Sequence, residues 1–160
     1  MKRLTIAILG AAALLAACSD KDQEAVDTSA TAGAAAAAGT VEYFNVVVGD
    51  RVFFDTDQHD LTSEAQFVLS KQAQWFDVNE GTTATIEGHA DERGTREYNL
   101  ALGARRANSV RAFLIAQGVD SRLLRTVSYG KERPVALGSD DQAWSQNRRA
   151  VTVVVGAPTS

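Results

Sequence analysis

Between Leu15 and Val41 this 160-residue chain contains one large apolar residue, Val26. A stretch so poor in apolar side chains cannot bury enough surface to offset the entropy lost on ordering it. Whatever folds must therefore be built from about residue 41 onward. Ser19 to Thr40, with Ala34 to Ala38 inside it, reads as a tether. Ser19 to Asn45 is 27 residues, which as a flexible coil spans roughly 26–31 Å.

The residues before the tether read as an export signal. Lys2 and Arg3 form a basic start, and Leu4 to Leu15 is an apolar run too short for a transmembrane helix, which needs about 20 residues. The signal ends Leu15-Ala16-Ala17-Cys18, which resembles a lipobox. Small residues there admit the lipoprotein signal peptidase, and the Cys18 thiol takes a diacylglycerol. Two or more acyl chains hold a protein on a membrane where one does not. Cys18 is the only cysteine, so no intrachain disulfide can form. Ser19, rather than Asp, follows it, which by the sorting rule of enteric lipoproteins directs the chain to the outer membrane. The expected division is 1–17 signal, 18–40 lipidated tether and 41–156 folded domain. Loss of Lys2 and Arg3 takes the formal net charge from -4 to -6. That balance argues against a nucleic-acid partner and against attraction to anionic lipid.

In the domain, Phe44 to Val48, Gly49-Asp50 and Arg51 to Phe54 predict a hairpin. Ser63 and Gln66 fit a capping box for a first helix, with Ala65, Leu69, Ala73 and Phe76 at helical spacing. Thr83 to Gly88 alternates as a strand. A second helix runs from about Glu97 to Gln117, with Gly103, Ala107, Val110 and Leu114 facing the sheet and Gly118 at its end. Leu123 to Tyr129 and Ala150 to Val155 predict two more strands, with a short helix at Asp141 to Asn147. Strands alternating with helices imply an α/β sandwich, its helices packed on one face of a mixed sheet.

Function concentrates around residues 88–110. Asp91 follows a strand end, so its carboxylate stands at a loop mouth. Asn99, Leu102 and Arg106 share one flank of the second helix. A carboxylate and a guanidinium presented together suit a zwitterion; the same two residues could equally form a salt bridge with each other. Phe54, Asp55, Thr56 and Asp57 are candidates for an opposite wall, while Arg93 and Tyr98 are weaker candidates for contact. Arg105, Arg148 and Arg149 read as surface or packing residues.

The stretch from Gly88-His-Ala-Asp-Glu-Arg-Gly-Thr-Arg-Glu-Tyr-Asn through Arg105-Arg-Ala-Asn-Ser-Val resembles the OmpA-like peptidoglycan-binding domain family. Val52-Phe-Phe-Asp-Thr-Asp, Val127-Ser-Tyr-Gly-Lys-Glu-Arg-Pro and Ser145-Gln-Asn-Arg-Arg-Ala-Val add to the likeness, which covers about Arg51 to Val155. The lipobox separates the chain from family members that carry a membrane barrel. The resemblance implies an OmpA-like fold and non-covalent binding of the wall's stem peptide. Asp91 would take the ammonium of diaminopimelate and Arg106 its carboxylate, which a guanidinium grips with two parallel hydrogen bonds. It further implies a periplasmic β-propeller protein of the Tol system as partner; a wall anchor of another envelope system is the alternative. An enzyme is disfavoured. With only His59 and His89, and Cys18 acylated, three ligands for a catalytic zinc are hard to assemble. There is no G-x-S-x-G nucleophile motif.

Overall fold

The computed structural model describes residues 38–155. The signal, Cys18 and the tether up to residue 37 lie outside them. The first element is helical where a strand was expected. An α-helical turn, α1 (Val41–Tyr43), capped by the Thr40 hydroxyl, runs into a π-helical turn, Phe44–Gly49. The hairpin expectation fails for a packing reason. Phe44 and Val48 are buried while Asn45, Val46 and Val47 between them are exposed. A spacing of four puts two side chains on one face of a helix; in a strand it would take the residue midway with them. The Phe44 ring meets Trp75 and Phe76 edge-on at 4.8 and 5.8 Å between centroids.

The strands are β1 (Arg51–Phe53), β2 (Thr83–His89), β3 (Leu124–Gly130) and β4 (Arg149–Val155). They form one mixed sheet in the order β1-β4-β2-β3, with β2 and β3 parallel and the other pairs antiparallel. β1 thus pairs with the distant β4 rather than with its neighbour in sequence. The helices are α2 (Ser63–Val78), α3 (Arg96–Ala116) and α4 (Asp141–Asn147). The cap of α2 is Thr62, one residue before the expected Ser63. Its hydroxyl accepts from the Ala65 amide, and the Gln66 side chain reaches back to the Leu61 carbonyl.

Ala84, Ile86 and Gly88 of β2 point at the core, where α3 presents Ala107, Val110 and Leu114 and α2 presents Leu69, Ala73 and Phe76. Two glycines set how closely α3 lies on the sheet. A Cβ on Gly88 would stand 1.8 Å from the Gly103 carbonyl oxygen, and one on Gly103 would stand 2.4 Å from the Ser128 hydroxyl. One polar residue is sealed in the core as well. Gln72 donates to the Gly49 carbonyl and accepts from the buried Thr152 hydroxyl, tying α2 to the turn before β1 and to β4.

Candidate functional site

The loop between β2 and α3 leaves the sheet at Asp91 and enters the helix at Arg96. Thr95 caps α3 through its hydroxyl, which accepts from the Tyr98 amide. A cleft of about 290 Å3 opens beside this loop, lined by Thr56, Asp57, Asp91, Arg93, Gly94, Tyr98, Asn99 and Leu102. Five of the eight expected site residues therefore meet in one cavity: Thr56, Asp57, Asp91, Asn99 and Leu102. Tyr98 hydrogen-bonds Asp57 across the mouth. Asn99 is buried, and its amide donates to the Arg93 carbonyl (2.7 Å), which shapes the loop from below.

Arg106, Phe54 and Asp55 do not line this cavity; Arg106 and Phe54 are buried and Asp55 is exposed. The sequence puts Asp91 at a loop mouth and Arg106 on a helix flank, and the structure buries both side chains. Asp91 is 7% exposed and Arg106 not at all. The Arg106 guanidinium donates to three backbone carbonyls, those of Gln58 (2.8 Å), His89 (2.8 Å) and Asp55 (3.2 Å). That engages three of its five N–H groups. The Phe54 ring lies 5.1 Å from its central carbon. A charge so deeply placed is tolerated because oriented carbonyl dipoles replace its water. Burial lowers its pKa to about 10, partly opposed by the Asp91 charge, so it remains a cation at neutral pH.

Nor do Asp91 and Arg106 form a salt bridge with each other. Asp91 pairs instead with Arg93 (2.8 Å), which also donates its backbone amide, and with Arg148 (3.6 Å). Burial acts to raise the Asp91 pKa, but the Arg93 hydrogen bonds and the Arg93 and Arg148 charges hold it below its ordinary value. The site thus presents an ionised carboxylate beside three guanidiniums at different depths. Arg93 is at the mouth, its side chain 40% exposed, Arg148 is half-buried, and Arg106 is at the back.

The sequence presents Arg148 as a surface or packing residue, but its place here depends on the β1–β4 pairing. The Phe54 amide donates to the Arg148 carbonyl and the Arg148 Nε donates to the Phe54 carbonyl. Trp144 gave no signal either. Its indole lies 4.2 Å from the Arg93 guanidinium carbon, and its N–H donates to the Glu92 carboxylate (3.0 Å). Lys131 completes the support, donating to the Glu92 and Gly94 carbonyls. In sequence, only the short helix of α4 was legible; which residue it places under Arg93 is a long-range matter.

A mixed four-stranded sheet with helices on one face and a charged cleft at the end of β2 describes a binding module of the OmpA class. A family model described as the OmpA family matches residues 53–148, more than half of the chain. A peptidoglycan-associated lipoprotein of Mesorhizobium japonicum is 52% identical over 145 residues, covering 89% of this chain and 86% of that one. One from Haemophilus influenzae is 40% identical over 149 residues, covering 92% and 94%. The crystal structure of the peptidoglycan-associated lipoprotein from Burkholderia pseudomallei matches with a TM-score of 0.65 and 44% identity over 66% of this chain and 90% of that one. The chain belongs to the OmpA family, and within it to the peptidoglycan-associated lipoproteins.

Proposed function

We propose that this chain is an outer-membrane lipoprotein that holds the cell wall non-covalently by gripping the diaminopimelate of its stem peptide, without altering it chemically. The observation that carries this reading is the cleft of Asp57, Asp91, Arg93, Asn99 and Leu102, in which an ionised carboxylate stands beside guanidiniums. The far end of diaminopimelate bears an ammonium and a carboxylate on one carbon, and the two charges call for opposite partners close together. Asp91 takes the ammonium. Arg106 supplies the fixed positive charge behind the cleft, with Arg93 the guanidinium at its mouth. Leu102 offers the apolar contact for the methylene chain, with Asn99 setting the loop. Thr56 and Asp57 close the opposite wall, which the Phe54 ring and the Asp55 carbonyl tie to Arg106 of α3. Cys18 carries the acyl anchor and Ser19 sends it to the outer membrane. The domain works within the Tol system beside a periplasmic β-propeller protein, linking outer membrane to wall in envelope integrity and division.

The test is calorimetric titration of the protein with a soluble stem-peptide fragment and with the same fragment carrying lysine in place of diaminopimelate. Lysine lacks the distal carboxylate, so its binding should be weaker by roughly tenfold to a hundredfold, the worth of a hydrogen bond to a charged group. Equal affinities would show that the cleft does not read the zwitterion.

A further inference from the structure

We propose that the outer face of α2, with the π-helical turn before it, rests on the phospholipid surface to which the chain is anchored. Phe67, Lys71, Gln74 and Val78 recur at spacings of four, three and four, so they form one stripe along α2. Phe67 is 67% exposed and Val78 79%, and on the preceding turn Val46 is 77% and Val47 54% exposed. Val47, Lys71 and Val78 line one groove of about 350 Å3 together with Tyr43, Trp75 and Ala38. Exposed apolar side chains gathered in this way mark a surface that meets something apolar.

The course of the chain says what that is. Ala38, where the described structure begins, lines the groove itself, and its carbonyl accepts from the Trp75 indole (2.8 Å). Cys18 lies 20 residues upstream, so the chain between them can reach no farther than about 66–72 Å even at full extension. A domain held that close to a leaflet meets it at an effective concentration in the millimolar range. A patch too small to bring a free protein to a membrane is then large enough to keep a tethered one there. Lys71 suits the same surface. Its ammonium stands 5.2 Å over the Phe67 ring, so its stem can lie along apolar surface while the charge reaches the headgroups. The four stripe side chains carry no acid themselves, and the exposed Asp77 and Glu64 of α2 flank them.

The arrangement also leaves the wall site unobstructed. Asn79, at the end of α2, accepts from Thr82 just before β2 begins, whereas Asp91 follows the residue after β2 ends. The stripe's Val78 end and the cleft thus lie at opposite ends of β2.

This inference rests on the acyl anchor at Cys18. The test uses the full lipidated protein in vesicles of phosphatidylethanolamine and phosphatidylglycerol, with and without bromine on the acyl chains. Flotation of protein with the vesicles comes first; a chain that stays in solution sinks the anchor and this inference together. In Trp144→Phe, the remaining Trp75 lies just beneath the patch. Its emission should fall by on the order of a third in brominated vesicles, since an interfacial helix reaches about 5–10 Å into the boundary. Trp144, beside the cleft, should be unquenched in Trp75→Phe, with its fold checked by melting. Phe67→Ser with Val78→Ser should abolish the quenching of Trp75 while flotation persists. Floating protein whose Trp75 is unquenched, or quenching that survives the double substitution, overturns the proposal. A detergent-solubilised dimer that Phe67→Ser dissolves would also overturn it, because the patch would then be covered by a second copy.

Discussion

Arg106, for which a binding role is proposed, is also part of the frame. Its guanidinium satisfies carbonyls from the loop after β1 and from the end of β2. Arg106→Ala should therefore strip three acceptors of their donor and lower stability by about 3 kcal/mol or more, as well as weakening stem-peptide binding. Asp91→Ala should separate the two effects. Its partners Arg93 and Arg148 keep access to water, so binding should fall by about tenfold or more, with a charged hydrogen bond worth about 1.5–3 kcal/mol, while the melting temperature moves little. Paired melting curves and titrations of both variants check this; an Arg106→Ala protein that melts like the parent would contradict the buried geometry. Trp144 acts one step further out. Trp144→Ala removes the ring beneath Arg93 and should cost about 0.5–1 kcal/mol of binding, with Trp144→Phe recovering most of it. Full affinity in the alanine variant would mean that Arg93 needs no support.

The element that matters most is α3, which carries Tyr98, Asn99, Leu102 and Arg106. Its place on the sheet depends on the absence of two side chains. Gly103→Ala would drive a methyl group toward the Ser128 hydroxyl and the Gly88 carbonyl. The helix must then lift, and overpacking of this kind costs about 1–3 kcal/mol. Because the cleft spans α3 and the 55–58 loop, the same substitution should weaken ligand binding although Gly103 is not among its lining residues. Gly118→Ala provides a comparison, since its Cβ would meet nothing within 4 Å and only its positive φ of 103° resists the change. It should lose stability without losing affinity. If Gly103→Ala binds the stem peptide normally, the close helix–strand contact does not set the cleft.

At the scale of the whole molecule, stability should depend on pH through His89. The ring is 2% exposed, and both of its nitrogens lack a hydrogen-bond partner among the described residues. Burial, helped by the Arg149 and Arg133 charges, lowers its pKa from 6.5 to about 4. The unfolded chain therefore takes up a proton at a higher pH than the folded one does. The neutral ring's contribution is complete above pH 6.5 and is lost as the pH falls toward 4. The full shift corresponds to about 3 kcal/mol. Denaturant titrations at pH 7 and pH 4.5 should show the parent losing much of that amount and His89→Leu losing clearly less. Equal losses in the two proteins would place the acid sensitivity elsewhere.

The sequence by itself determined what lies close along the chain. The local pattern marks α2, α3, the short α4 and all four strands, β1 included, and misreads only the segment before β1 and the strand that β1 pairs with. The motif from Gly88 to Arg106 placed Asp91 on a loop and Asn99, Leu102 and Arg106 on one helical flank. The four-residue spacing of Phe44 and Val48 was also present in the chain, but a run of three valines followed by Gly-Asp suggests a strand and turn unless the ring stack with Trp75 and Phe76 is known. Only the tertiary structure decided depth and partnership. Whether Arg106 stands at a rim or under a loop, and whether Asp91 is met by Arg106, Arg93 or Arg148, depends on β1 pairing with β4 and on α4 folding back beneath residues 92–93. Those contacts join residues about 40 to 100 positions apart, and burial and charge pairing across such distances follow from chain packing rather than from any local pattern.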